Sequence, residues 1–173
     1  MFDLELKNKV AIITERSDRL GRATARRFAS EGDKVVICAR PEEHLMQAAE
    51  DLRKETNSSV LGMKADVCKA EDCTKLIDQT VEELGGIDIF INNAGKSAAS
   101  GLEALSDEAW QEDLDLKLMG GIRMCRGAVP HMKKMGGGSI VNATTGAGKA
   151  QGSLALPTSV SRAVGNNLTK FLA

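Results

Sequence analysis

The stretch from Lys9 to Arg22 constrains the fold more than any other part of the chain. Val10, Ala11, Ile12 and Ile13 make a short apolar run rich in β-branched side chains, the length of a strand rather than a helix. The run has no polar alternation, so it reads as a strand covered on both faces. A polar stretch follows, Glu15-Arg16-Ser17-Asp18-Arg19, and then Leu20, Ala23, Ala25 and Phe28 mark a helix. A doubly covered strand that turns at once into a helix belongs to a sheet with helical layers above and below it.

The same alternation continues along the chain. Strands are expected at residues 10–14, 34–39, 60–65, 87–91 and 139–143. Helices are expected at 20–31, at 42–55 (Leu45, Ala48, Ala49 and Leu52 on one face) and at 69–84 (Cys73, Leu76, Ile77, Thr80, Val81 and Leu84). Gly85-Gly86 ends that third helix. One long helical region runs from Ser106, a good N-cap, to about Met135, with Pro130 bending its far end. A last helix begins near Pro157. No internal repeat, low-complexity segment or linker interrupts the pattern. Strands separated by helices imply parallel pairing through right-handed crossovers, so the expected fold is one α/β domain, a doubly wound parallel sheet of Rossmann-like form.

Composition narrows the partners. The 173 residues suffice for one domain with a sizeable core, and the net charge of −1 points away from nucleic acid and from a charged membrane surface. No apolar run approaches the ~20 residues of a membrane span, and the start of the chain lacks a basic-then-apolar signal, so a cytoplasmic location is expected. Cys38, Cys68, Cys73 and Cys125 form no Cys-x-x-Cys pair, and only His44 and His131 stand by to assist them, so no metal site is expected. The chain contains no tyrosine.

Strand, tight turn and helix at the head of a chain is how a dinucleotide-binding unit begins. Thr14, Leu20 and Gly21 match the loop Thr-Gly-x-x-x-Gly-(Ile/Leu)-Gly of the short-chain dehydrogenase/reductase family, which the chain resembles over its whole length. Glu15 and Arg19 stand where that loop has its first two glycines, which let backbone approach a pyrophosphate closely. The resemblance places cofactor contacts on Ser17, Arg19, Leu20 and Gly21, then on Arg40, Asp66, Val67, Asn92, Ala94 and Gly95. Asn92-Asn93-Ala94-Gly95 is intact and is the most specific match. Ala39 occupies the place of the acid that binds a ribose 2′-hydroxyl, and Arg40 follows it, so NADP(H) is favoured over NAD(H). The alternative for Arg40 is a solvated side chain at a helix start, and for Asp66 a cap on the next helix.

The family's chemistry uses Ser, Tyr, Lys and a helix Asn, with the Lys cation lowering the phenol from its ordinary pKa of ~10. The resemblance sets Thr145, Thr158, Arg162 and Lys117 at those four positions. Thr145 keeps a hydroxyl, but Thr158 is far less acidic than a phenol. Arg162 keeps a charge it cannot give up as a proton. Lys117 is an amine in place of a neutral amide. It reads either as a solvated helix lysine or as a replacement acid, if burial and Arg162 depress its pKa.

Three functions remain open at this point. One is an NAD(P)-dependent oxidoreductase acting on a small carbonyl or alcohol with altered catalytic residues. The second is a family member without chemistry, serving as a binding or assembly subunit. The third is a shortened chain without function. Family members usually continue through two further strands, so a C-terminally short member with one bare sheet edge is expected. Homo-oligomers through the long helices are also expected. Leu114, Leu118, Ile122 and Cys125 lie along one stripe that suits either a partner or the chain's own sheet.

Overall fold

The computed structural model describes residues 4–14, 20–150 and 154–173. Five parallel strands form one sheet in the order β3-β2-β1-β4-β6: β1 (Val10–Thr14), β2 (Lys34–Ala39), β3 (Val60–Lys64), β4 (Ile89–Asn92) and β6 (Ser139–Asn142). Registers such as Ile12↔Val36, Val36↔Leu61, Ile12↔Phe90 and Phe90↔Ile140 run in one direction throughout. The parallel doubly wound sheet read from the sequence is therefore the fold of this chain.

Side-chain alternation explains the two helical layers. Ala11, Ile13, Val35, Ile37, Ile89 and Ile91 point to one face, where Ala25 and Ala29 of α1 (Leu20–Ser30) and Leu45 and Leu52 of α2 (Glu42–Thr56) cover them. Ile12, Val36 and Phe90 point to the other, against Leu76 and Ile77 of α3 (Ala70–Leu84) and Met124 and Ala128 of α5 (Gly120–Lys134). Ile12, Ile13 and Phe90 are fully buried. Each such side chain contributes about 1.5–3 kcal/mol of burial.

Several boundaries shift. β3 ends at Lys64 rather than 65, and β4 spans Ile89–Asn92 rather than 87–91. The reason in β4 is Asp88, whose carboxylate accepts from Val10 N at 2.9 Å and from Lys9 Nζ at 3.1 Å, so a side chain takes the bond that the strand would make there. The expected single long helix is three consecutive pieces: α4 (Asp107–Leu114), a π-helical turn (Asp115–Met119) and α5. Ser106 caps α4 as expected, its Oγ accepting from Ala109 N at 3.4 Å. Pro130 lies inside α5, which continues to Lys134. The last helix, α6 (Thr158–Leu172), starts one residue after Pro157. A two-stranded antiparallel ribbon, β5 (Ala99–Ser100) with β7 (Leu156–Pro157), ties the chain after β4 to the start of α6. The sequence reading contains no such ribbon. β6 forms one sheet edge, with Ser139 and Val141 exposed.

Candidate functional site

The carboxyl ends of β1 to β4 open into one cleft. Thr14, Ala39, Arg40, Ala65, Asp66, Val67, Ala94 and Gly95 line it. Four strand ends thus gather five of the ten residues expected to meet a cofactor. Small side chains at 39, 65, 94 and 95 keep the cleft open, and Arg40 stands exposed in its wall. Thr14 is buried beneath, its Oγ accepting from Asn93 N and Ala94 N at 3.2 Å each and donating to Ile91 O. That hydroxyl fixes the backbone of the 92–95 loop. Asp66 Oδ1 accepts from Cys68 N at 3.0 Å, which turns the chain toward α3. The cap on α3 that the sequence allowed for Asp66 is not what the structure has: the N-cap residue is Lys69.

The other expected contacts lie elsewhere. Ser17 and Arg19 fall outside the described residues. Leu20 opens α1 and is exposed, whereas Gly21 is buried behind it. Asn92 is buried and stitches β4 to β6, its Nδ2 donating to Asn142 Oδ1 at 3.1 Å. Its side chain is thus spent on tying two strands together.

The catalytic positions divide. Lys117, Thr158 and Arg162 converge beside Gly95, while Thr145 is exposed and makes no hydrogen bond to any of them. Lys117 is not a solvated helix lysine. Its side chain is 1% exposed, and its ammonium donates to Asp113 and to Thr158 Oγ, the latter at 2.6 Å. The π-helical turn carries Lys117, and Asp113 precedes it by one turn on the same face. The second Asp113 oxygen accepts from Ser161 Oγ at 2.6 Å. Thr158 Oγ donates to Ala98 O at 2.7 Å and accepts from Ala98 N at 3.3 Å. The β5–β7 ribbon holds this contact in place. Arg162 Nη1 donates to Ala143 O at 2.8 Å. Its other terminal nitrogen lies against Gly95, where a Cβ would come within 2.6 Å. A larger residue at 95 would displace the guanidinium from this position.

The electrostatics follow from this packing. Burial pushes the Lys117 ammonium below its ordinary value, the Asp113 carboxylate pulls it back up, and Arg162 and Lys96 add to the lowering. Burial lowers Arg162 as well, against the opposing charge of Asp113. Burial holds the Cys73 and Cys125 thiols at about 11, so neither is a thiolate at neutral pH. Among the described residues no cluster of His, Cys, Asp or Glu is arranged to hold a metal. No helix among them is long and apolar enough to cross a membrane.

Sequence reasoning missed Asp113, Ala98 and Ser161. Asp113 carried a signal, the four-residue spacing to Lys117. Ala98 contributes only its backbone, which leaves no trace in composition.

A cleft at the carboxyl ends of parallel strands, with Lys117, Thr158 and Arg162 gathered beside Gly95, lies where open α/β sheets bind their ligands. The chain belongs to the short chain dehydrogenase family, whose model matches residues 9–173. It is 37% identical over 169 residues to dehydrogenase/reductase SDR family member 4 of Homo sapiens, covering 97% of this chain and 60% of that protein. It is 32% identical to L-sorbose reductase from Gluconobacter frateurii, solved with NADPH and L-sorbose, with a TM-score of 0.95 over 99% of this chain and 65% of that one. A variant of actinorhodin polyketide ketoreductase solved with NADPH is 31% identical, with a TM-score of 0.91 over 95% of this chain and 63% of that one. The chain thus spans 60–65% of the length of these relatives.

Proposed function

We propose that this chain is an NAD(P)-dependent oxidoreductase that moves hydride between a nicotinamide cofactor and a small carbonyl or alcohol substrate, with NADP(H) favoured over NAD(H). The observation that carries this reading is the open cleft at the strand ends, walled by Ala39, Arg40, Asp66, Val67, Ala94 and Gly95. Its small residues leave room for an adenosine, and Arg40 is placed for a 2′-phosphate with no acidic residue at position 39 to select a free ribose hydroxyl. Arg162 beside Gly95 supplies a fixed positive charge at the inner end. The nicotinamide, when bound, supplies the hydride chemistry, and Thr158 with Lys117 stands where a proton is needed. NADPH in L-sorbose reductase and in the actinorhodin ketoreductase supports the cofactor preference.

A second reading, a binding or assembly subunit without turnover, draws on one observation. The Thr158 hydroxyl is already engaged by Lys117 and by both backbone groups of Ala98. Under either reading the half-buried side chains of Leu114, Leu118 and Ile122 suit pairing with a second copy, which light scattering tests. The thiols of Cys68, Cys73 and Cys125 suit the reducing cytoplasm.

The test is a fluorescence titration with NADPH and, alongside, NADH. Saturable binding with NADPH preferred is expected. No binding of either at millimolar cofactor overturns the proposal. Binding of NADPH without reduction of any carbonyl selects the second reading.

A further inference from the structure

We infer that Thr158 is the proton-donating residue of this site and that the buried Asp113–Lys117 pair recharges it, a relay that replaces the missing phenol. The inference rests on the oxidoreductase reading above. Three features carry it. Lys117 has only protons to give, and it directs one at Thr158 Oγ from 2.6 Å. Its side chain is 1% exposed, so a substrate cannot reach it directly, whereas Thr158 is half-buried and opens the first turn of α6. Asp113 is also 1% exposed at its side chain and spends one oxygen on Lys117 and the other on Ser161, which fixes the ammonium in place.

The direction of these bonds, with Lys117 held as an ammonium by Asp113, runs against the commoner use of a hydroxyl beside a lysine. A nucleophilic threonine needs a neutral amine to take its proton. Here Thr158 accepts from Lys117 and donates to Ala98 O. The groups facing Lys117 are Asp113 from α4, Arg162 from α6 and Lys96 from the loop after β4. Asp113 keeps Lys117 protonated at rest. Burial and the two cations make the neutral amine accessible after a proton leaves.

In the reducing direction the substrate's carbonyl carbon takes a hydride from a dihydronicotinamide, and its C=O pair moves onto oxygen. Thr158 Oγ releases Ala98 O and gives its proton to that oxygen. Lys117 Nζ gives a proton to Thr158 Oγ and becomes a neutral amine, and once the alcohol has left, solvent returns the proton to Lys117 through the half-buried Thr158 hydroxyl. The alcohol leaves with one hydride and one proton added. Thr158 is the residue that touches substrate, and Lys117 and Asp113 act through it.

The test starts on the cofactor-free protein. With ¹³Cε-labelled lysine, NMR is expected to show one ammonium that titrates below the others, is lost in Lys117→Met and is shifted in Thr158→Val. A Lys117 that titrates with the exposed lysines overturns the inference. NADPH affinity is then measured, followed by NADPH-dependent reduction of two carbonyl probes, 2,3-butanedione and L-sorbose. Thr158→Val keeps the shape and the ion pair, and its kcat is expected to fall about 10²–10⁴-fold while NADPH affinity stays within about twofold. Thr158→Ser restores the hydroxyl and most of kcat. The wild-type kcat for reduction falls as pH rises through the Lys117 pKa, and that limb is absent in Lys117→Met. Bound NADPH without reduction of either probe, or full activity in Thr158→Val, overturns the inference and leaves the cofactor cleft standing. Failure to bind NADPH removes the reading beneath it.

Discussion

Gly121 packs so closely against Asn92 that a Cβ on it would stand 2.3 Å from the asparagine's amide nitrogen. This contact seats α5 on the end of β4, and the same nitrogen bridges to Asn142 on β6. Gly121→Ala must therefore push Asn92 off β6 or lift the helix. We expect a loss of about 1–3 kcal/mol in urea unfolding. Adding Asn92→Ala to Gly121→Ala removes the clash, so the two losses should be less than additive. Strict additivity would show that the contact is not tight.

Asp33, in the turn between α1 and β2, is 1% exposed, and neither of its carboxylate oxygens has a hydrogen-bond partner among the described residues. Burial raises its pKa to about 6, the nearby Asp88 and Glu31 add to the rise, and Lys9 opposes it. The folded state therefore holds this proton more tightly than the unfolded chain, whose ordinary value is 3.8. The contribution to stability is fully present below pH 3.8 and is lost as pH rises through about 6. Removing the charge should then stabilise the protein above pH 6 by on the order of 2–3 kcal/mol. Asp33→Ala should raise the melting temperature at pH 7.5, with the gain shrinking toward pH 4.5. An equal change at both pH values would sink this account.

How much of this was legible in the sequence depended on how local each signal was. The unbroken run Val10 to Ile13 requires a strand covered on both faces, and the fold follows from four more runs like it. Ile87 is as buried as a strand residue, so its apolarity could not tell strand from the approach to one, and the Asp88 side chain decided the matter. The β5–β7 ribbon joins two-residue strands far apart in the chain, and neither carries a periodicity. At the site, Arg40, Asp66, Val67, Ala94 and Gly95 fell together because strand ends gather them. Lys117 did not announce its burial, because a helix lysine is solvated unless another element covers it. Here α6 brings Ser161 and Thr158 over it.

That burial has a stability consequence separate from any chemistry. In Lys117→Met, the Asp113 carboxylate keeps only the Ser161 hydroxyl inside a site it cannot leave. Breaking a buried pair by removing one partner typically costs about 3–5 kcal/mol. We expect that loss in chemical unfolding of the single variant. Asp113→Asn combined with Lys117→Met neutralises both charges and should recover much of it. A single variant within about 1 kcal/mol of wild type would mean that the pair is not held dry.

Arg40 gives the sharpest test of cofactor choice. Its guanidinium is exposed in the cleft wall, and Ala39 beside it offers no carboxylate. A phosphate contact of this kind contributes about 1.5–3 kcal/mol, so Arg40→Ala should weaken NADPH by roughly 10–100-fold. NADH has no phosphate there, and its affinity should stay within about twofold. Raising the salt should weaken NADPH more in the wild type than in the variant, because the exposed charge pair is screened. Paired fluorescence titrations of both cofactors at two ionic strengths measure all of this. Equal losses for NADPH and NADH would assign Arg40 to the shape of the cleft rather than to the phosphate.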